Sequence, residues 1–197
     1  LSGKSMQKLL NICKSFSKDH GITFNVHKTV CTVFETRRTI KIFKYPTLFL
    51  NGLPVNYMDY HKYLGVFISN INDGKDIKRQ LRSYISKVNL LVQMFGKCSD
   101  EVKIQLYLSY CTSMYCIHLW SNYFQQDFHK FRVIYNNGFR KLFKLERYCS
   151  ASGMFVTANV PCFSSLIRRN INGFVKRLNE SKNVFINYYC SSFHVLV

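Results

Sequence analysis

Hydrophobic residues repeat at helical spacing near the start of the chain and then change to the shorter runs of strands. The helical positions are Met6, Leu9, Leu10, Cys13 and Phe16. They predict an amphipathic helix over residues 5–20, with Ser5 as the N-cap and Gly21 as the stop. Two apolar runs, 22–26 and 29–34, then predict strands on either side of a polar turn.

A hairpin and a further strand are predicted before residue 72. Asn51-Gly52 stands between two apolar pairs, and this dipeptide supplies the positive φ angles of a two-residue hairpin turn. The run 61–69 predicts a strand that contains Gly65, and a glycine inside a strand is typical of a bulge or of close backbone approach. A basic segment precedes the hairpin. Its cations are Arg37, Arg38, Lys41 and Lys44.

From residue 75 onward the apolar period is that of helices, and a long helix is predicted over 75–96. Its apolar stripe consists of Ile77, Leu81, Ile85, Val88, Leu91, Val92 and Phe95. Its opposite face carries Lys75, Lys78, Arg79, Arg82 and Lys87. Further helices are predicted over 99–121, 126–145, 163–179 and 181–190, with a connector over 153–161. Strands and helices in separate blocks predict an α+β fold.

The charge balance narrows the class of partner. The chain has 28 Lys and Arg against 10 Asp and Glu, a formal net charge of +18. Such a surplus favours a polyanion, with nucleic acid ahead of an anionic membrane. A solvated basic surface without a partner is the alternative. Because 47% of the residues are hydrophobic, a sizeable core is expected and a disordered chain is not.

Cysteines and one uncharged run bear on the compartment. The 8 cysteines show neither a Cys-x-x-Cys pair nor zinc-finger spacing, so we expect buried, reduced thiols and an intracellular location, cytoplasm or nucleus.

The run Ile104–Gln126 has no Lys, Arg, Asp or Glu and is long enough to span a bilayer. Its many hydroxyl and amide side chains favour burial in protein instead, so no membrane partner is expected.

The pattern lacks a complete active site. Metal-dependent phosphoryl transfer needs clustered carboxylates. The adjacent pair Asp100-Glu101 follows Ser99 and is explained by a helix start, while Asp73 and Asp76 flank a turn. The 6 histidines are scattered and the 9 glycines stand singly, so neither a triad nor a phosphate loop is indicated. The residues alone therefore predict a chain that binds an anion and lacks a complete active site.

Three stretches occur in a distinctive order. GITFNVHKT, from Gly21 to Thr29, has the form Gly-hydrophobic-x-hydrophobic-Asn-x-x-Lys-Thr; Tyr63-Leu64-Gly65 follows it; and the segment 151–178 comes last. This order resembles the late palm, the thumb and the region beyond the thumb of reverse transcriptases encoded by non-LTR (LINE-type) retrotransposons. Each motif is moderately specific, and the likeness covers nearly the whole chain.

The resemblance implies that the parent protein is an RNA-directed DNA polymerase, a nucleotidyltransferase that uses Mg²⁺. It divides the chain into the end of the palm (1–72), a helical thumb (73–145) and a C-terminal helical extension (146–197). The family's catalytic aspartates are expected upstream of Leu1. The fragment alone is therefore expected to be inactive, and its partners are the missing N-terminal polymerase portion, an RNA template and a DNA primer.

The resemblance also assigns site residues. In the family, the lysine that corresponds to Lys28 lies near the phosphates of the incoming nucleotide and is a proposed proton donor to the departing pyrophosphate. An ammonium held by a turn can stabilise developing negative charge, so Lys28 is the catalytic candidate. A surface-turn lysine is the alternative. Asn25 is expected to fix the turn through a backbone hydrogen bond. The candidates for nucleic-acid binding are Asn25, Tyr63, Leu64, Gly65, Lys78, Arg79, Arg82 and Lys87.

Two groups of these candidates have simpler explanations. Gly65 is expected to let the backbone approach the primer's terminal phosphates, with Tyr63 and Leu64 at the sugar edge; a bulge is the alternative. The cations of 75–96 are expected to face the template–primer duplex, which is recognised by shape and backbone. A solvated face is the alternative.

A second cluster of cations, in the C-terminal part of the chain, has a less defined role. It comprises Arg168, Arg169, Lys176 and Arg177. At the level of the whole chain, the alternative is a stand-alone nucleic-acid-binding remnant without catalytic activity.

Overall fold

The computed structural model describes residues 2–34, 45–120 and 123–193, except for the side chains of residue 189 and of 191–193. The predicted basic segment of residues 37–44 therefore lies outside the described residues. The chain divides into two compact units, residues 1–71 and 72–197. Short strands occur in the first unit and helices dominate the second, so the chain mixes α and β structure in separate blocks.

The first unit contains one long helix and six short strands in its described residues. The helix is α1 (Gly3–Asp19). The strands are β1 (Val30–Cys31), β2 (Phe49–Leu50), β3 (Leu53–Pro54), β4 (Asn56–Tyr57), β5 (Tyr60–Tyr63) and β6 (Val66–Ser69). Strand β1 runs parallel to β4, whereas β2–β3 and β5–β6 are antiparallel pairs.

Helix α1 begins earlier than the sequence predicts. Its N-cap is Ser2, whose hydroxyl accepts the Ser5 N–H at 3.2 Å, so the prediction of Ser5 as the cap is wrong. Ser2 is the N-cap because it has the extended backbone that a cap needs, whereas Ser5 is already helical. At the other end, Gly21 has φ of +63°, a left-handed conformation that ends helices and that glycine adopts without strain.

The strand predicted over 22–26 is wrong, and the strand predicted over 29–34 is represented by β1 alone. Residues Val26–Lys28 instead form a single turn of 3-10 helix. Short apolar runs do not distinguish strands from other buried segments, and here tertiary contacts decide. Val26, Leu48, Leu50 and Val55 form a small core on which α1 packs through Met6 and Leu10.

Both hairpins of the first unit close through glycine. Asn51 and Gly52 have φ of +54° and +81° between β2 and β3, which confirms the predicted turn. The single strand predicted over 61–69 is wrong. Tyr63 pairs with Val66, and Leu64 and Gly65 form the turn with φ of +46° and +85°. Positive φ at both positions matches the twist of a two-residue hairpin, and so Gly65 lies at its tip.

Helices make up most of the second unit. They are α2 (Gly74–Phe95), α3 (Asp100–Tyr110), α4 (Gln125–Phe143), α5 (Ala151–Thr157), α6 (Phe163–Asn179) and α7 (Val184–Phe193). Helix α5 occupies part of the predicted connector, because the Ser150 hydroxyl caps it by accepting the Gly153 N–H at 3.4 Å. Helices on both sides of residue 145 contribute to one core.

The predicted helix over 99–121 is wrong beyond Tyr110. The Thr112 hydroxyl donates to the Leu108 carbonyl at 2.6 Å, and Cys116 adopts a left-handed φ of +59°. The chain then forms a short turn of 3-10 helix at Ile117–Leu119, and Ile117 and Trp120 are buried, which explains why this run is apolar without being one helix. Within the described residues, no helix has the length and apolar character that crossing a membrane requires.

The core of the second unit is aromatic. Phe131, Tyr135, Phe139 and Phe163 are at most 1% exposed, and such large side chains supply the largest burial terms. In place of the predicted Ile85, which is 38% exposed, α2 buries Tyr84, at 2% exposure. The rest of the predicted α2 stripe is buried or packs against this core.

Three tyrosines form a buried hydrogen-bonded chain in this core. Tyr84 donates to the Tyr135 carbonyl at 2.8 Å, so the 2.9 Å contact between hydroxyls has Tyr107 donating to Tyr84. The Tyr135 hydroxyl donates to the Pro161 carbonyl at 2.9 Å. Burial raises the pKa of Tyr84 and of Tyr107 well above its ordinary value.

Candidate nucleic-acid interface

Asn25 builds the turn that presents Lys28. Its side-chain oxygen accepts the Lys28 N–H at 3.1 Å, and its carbonyl accepts the Thr29 hydroxyl at 2.9 Å. The predicted backbone hydrogen bond of Asn25 is thus confirmed, and Val26 anchors the turn in the core. Lys28 itself is exposed. The turn therefore fixes the backbone from which the ammonium reaches solvent.

The hairpin tip presents an apolar surface in the same unit. Tyr63 is 59% exposed and Leu64 is 73% exposed, and both flank or form the turn with Gly65. A hydrogen bond of 3.2 Å between Thr32 and His61 connects the segment after β1 to β5. Among the described residues, no hydrogen bond or ring contact joins Lys28 directly to the tip.

On α2, Arg79 differs from what the sequence predicts. Its Nε donates to the carboxylate of Asp76 at 2.7 Å, and Asp76, at 1% exposure, also accepts the indole N–H of Trp120 at 3.0 Å. The Arg79 side chain is only 26% exposed. The prediction that Asp76 merely flanks a turn is wrong, because it is a buried anchor in the first helical turn. Arg79 therefore neutralises a buried charge.

The other cations of α2 are held to different degrees. Lys78 is exposed and lies 3.9 Å from a carboxylate oxygen of Asp127. Arg82 is exposed, and no ion pair involving it occurs among the described residues. Lys87 is half-buried and donates to the Ser113 carbonyl at 3.4 Å. Lys78 and Arg82 are thus the predicted cations that remain directed at solvent.

A groove beside α6 is lined by two arginines of the second basic cluster, for which the sequence predicts no defined role. Its volume is about 610 Å³, and Arg169 and Arg177 lie along one side of it. The opposite side is the loop from Thr112 to Tyr115. The spacing of eight residues between the two arginines puts both near one helix face and is the signal in the sequence. The loop's approach is a tertiary feature that the spacing does not predict.

The cysteines in the structure are free thiols, and all eight lie within the described part of the chain. Cys111 is buried as predicted, and burial raises its pKa to about 12. The other seven are partly exposed, so the prediction of buried thiols is wrong for them. Cys162 precedes α6. Partial burial, the largest single influence, raises its pKa, but hydrogen bonds from Ser165 and Ser164 and the charge of Arg168 together outweigh burial and lower the pKa.

The residues present do not fit the Mg²⁺ that the resemblance implies. In the described ranges, no group of three or more His, Cys, Asp or Glu side chains could hold a metal ion. Asp76 is committed to Arg79 and Trp120, and Asp100 pairs with Lys103 at 3.0 Å.

Comparison with known proteins leaves the family open. The chain matches no protein-family model, no curated protein and no solved structure. The function consequently has to be inferred from side chains, their contacts and the motif order.

Proposed function

We propose that this chain is the end of the palm and the thumb of a non-LTR retrotransposon reverse transcriptase, and that it grips the template–primer duplex. The parent activity is RNA-directed DNA polymerisation with Mg²⁺ at carboxylates supplied by the missing N-terminal polymerase portion. The binding partners of this part are the RNA template and the DNA primer. The proposal depends on the motif order and on the cationic surface of α2.

The exposed face of α2 is the observation that carries the proposal. Ile77, Tyr84, Val88 and Leu91 are at most 3% exposed, so packing fixes the rotation of the helix. The opposite face then holds Lys78 and Arg82 toward solvent on a rigid support. A rigid helix with outward cations suits a duplex, whose phosphates offer regularly spaced negative charge.

The net charge favours an external anion independently. With 28 cations and 10 side-chain carboxylates, one-to-one pairing would leave 18 cations without a carboxylate partner. Counterions balance such a surplus in solution, and a polyanion that displaces counterions gains entropy. Nucleic acid is the polyanion that motif order and charge favour together.

For the first unit, taken by itself, two contacts with nucleic acid are proposed. Lys28 is placed on a turn that Asn25 fixes, and it would stabilise negative charge on the nucleotide's phosphates. Tyr63 and Leu64, exposed beside Gly65, would contact the sugar edge of the primer end. Because Gly65 forms a turn, its conformation alone accounts for a glycine there.

Binding to an RNA–DNA heteroduplex tests the proposal. The 197-residue chain is titrated against a labelled heteroduplex at several salt concentrations. We expect the affinity to fall steeply with salt, with a logarithmic slope of about −0.9 for each phosphate contact. In the double variant K78E/R82E the slope becomes shallower and the affinity falls by about tenfold or more.

A second charge reversal of equal size is the control. Lys97 and Lys182 are exposed and lie off α2, so K97E/K182E changes the net charge equally. It should lose much less affinity than K78E/R82E. Equal losses in the two variants would assign binding to net charge alone. No binding by the parent chain at low salt would refute the proposal.

A further inference from the structure

We propose that the groove between α6 and the loop Thr112–Tyr115 is a second site, which binds the backbone of one unpaired nucleic-acid strand. The inference rests on the proposed function for the class of polymer, nucleic acid. It specifies in addition that the ligand is a single strand, where that strand binds and which side chains contact it. Arg169 and Arg177 contact phosphates, and Tyr115 stacks on a base.

The two arginines are available to an anion. Both are exposed, and neither forms an ion pair with a carboxylate in the described ranges. Arg177 lies over the backbone, since a Cβ on Gly173 would stand 3.5 Å from its Nη1. The forked guanidinium group suits phosphate oxygens better than an ammonium does, because it can donate two parallel hydrogen bonds.

The two arginines lie on one row of α6 together with two small residues. Ser165, Arg169, Gly173 and Arg177 follow one another at four-residue spacing, which places them on one stripe. The stripe is about 18 Å long at 1.5 Å per residue, the rise of roughly five nucleotides. Arg169 also lines a neighbouring cavity of about 530 Å³ with Cys162 and Ser165. The surface is therefore elongated, as binding of a polymer requires, and is larger than a pocket for a single ion.

The facing loop is held in place by packing. The His118 ring stacks on Phe174 of α6 with centroids 4.5 Å apart, and Met114 is buried. Partial burial, with Arg177 as a smaller cause, lowers the pKa of His118. Lys87 donates to the Ser113 carbonyl at 3.4 Å and adds a third cation behind the loop.

Tyr115 decides between a single strand and a duplex. Tyr115 is 54% exposed and lines the groove together with Ser113. Aromatic side chains stack on unpaired bases, whereas the bases of a duplex are already stacked on one another. A concave groove with an aromatic edge and two arginines therefore favours one strand.

Fluorescence anisotropy with a labelled oligo(dT) of about 12 nucleotides, within the usual range of single-strand sites, tests the site. In the full chain, R169A/R177A should bind about tenfold more weakly, with a salt slope shallower by about 1.4 for two lost contacts. The matched control is R168A/K176A, which removes two exposed cations from the same helix outside the groove lining. It should lose less than about twofold, as expected for non-contacting charges.

Two further arms make the outcome decisive. Tyr115→Ala should weaken oligo(dT) binding without changing the salt slope, and Tyr115→Phe should retain affinity, since stacking needs only the ring. Thermal melting of each variant separates misfolding from lost contacts. If R168A/K176A loses as much as R169A/R177A, or if a polyglutamate peptide competes as well as oligo(dT), the groove is not a strand site.

The failure of this second site can be distinguished from the failure of the proposed function. Heteroduplex binding that depends on Lys78 and Arg82, combined with unchanged oligo(dT) binding in R169A/R177A, would overturn the second site and leave the proposed function standing. Loss of oligo(dT) binding in that variant, with heteroduplex affinity insensitive to Lys78 and Arg82, would do the reverse.

Discussion

Arg79 and Arg82 are three residues apart on α2, yet their environments give them different tasks. Arg79 neutralises the buried Asp76, whereas Arg82 projects into solvent. Removing one partner of a buried ion pair leaves the other charge uncompensated, which costs several kcal/mol. An exposed arginine without such a partner contributes little to stability.

This difference predicts opposite effects of two alanine substitutions. Arg79→Ala should lower the free energy of unfolding by about 3 kcal/mol, the lower end for a buried pair because Arg79 is partly exposed. Arg82→Ala should change it by less than about 0.5 kcal/mol and should weaken heteroduplex binding. Urea denaturation and anisotropy measure the two effects. Equal stability of both variants would contradict the structural role of Arg79.

Some residue roles can be deduced from local sequence and others cannot. The hydrogen bond of Asn25 to the Lys28 N–H spans three residues, so the habit of Asn in turns is sufficient to predict it. The burial of Arg79 depends on Trp120, which approaches Asp76 from 44 residues away. No local pattern contains that contact, and the same holds for the groove beside Arg169.

At the level of elements, the glycine at the tip of the β5–β6 hairpin has two competing explanations. Gly65 has φ of +85°, so its conformation alone disfavours a side chain. Gly65→Ala should destabilise the first unit by about 1 kcal/mol, while Gly65→Asn should cost less than half as much, since Asn tolerates left-handed backbone.

Binding by the same two variants separates the explanations. If the glycine serves only the turn, Gly65→Asn binds the heteroduplex as the parent does. If the backbone has to approach a phosphate closely, any side chain blocks it, and Gly65→Asn loses affinity despite its stability. Denaturant unfolding and anisotropy on both variants give the answer. A stable Gly65→Ala variant would refute the turn argument.

The helical unit predicts a pH dependence from its buried tyrosines. Burial raises the pKa of Tyr84 and of Tyr107 above the value in the unfolded chain, so the folded state favours the neutral hydroxyls. Their contribution to stability is complete below about pH 10, the unfolded pKa, and is lost as the pH rises toward the folded pKa. Each such tyrosine contributes a slope of about 1.4 kcal/mol per pH unit.

A phenylalanine substitution isolates this slope. Tyr107→Phe should make the fall in unfolding free energy above pH 10 shallower by about 1.4 kcal/mol per unit. Tyr148 is 91% exposed, so Tyr148→Phe should leave the slope as it is. Urea unfolding between about pH 9 and 11 measures both. An unchanged slope in Tyr107→Phe would show that its hydroxyl ionises in the folded chain.

Two helices with a long apolar period could be predicted closely, whereas the end of α3 and the short helix α5 could not. The prediction over 75–96 corresponds to Gly74–Phe95, and that over 163–179 to Phe163–Asn179. Over 99–121 the apolar content continues after the helix ends, because the loop buries Ile117 and Trp120. The seven-residue α5 depends on the cap at Ser150 and was missed.

At the scale of the whole molecule, the surplus of cations and the scarcity of carboxylates both favour nucleic-acid binding over catalysis by this chain. The surplus of cations favours holding a polyanion, whereas joining nucleotides needs clustered carboxylates for metal ions. The described residues offer no such group. The proposed function therefore divides the parent's work between this chain, which grips, and the N-terminal portion, which supplies the metal site.

This division predicts how activity should depend on that portion. The chain alone should bind the heteroduplex and should not extend the primer with Mg²⁺ or Mn²⁺, because among the described residues no group of carboxylates would hold the metal ions that nucleotidyl transfer needs. Joined to a polymerase portion with paired aspartates, it should support extension, and Lys28→Ala should then lower kcat more than it raises KM for the heteroduplex. Primer extension by the chain alone would contradict this division, and equal effects on kcat and KM would reduce Lys28 to a positioning contact.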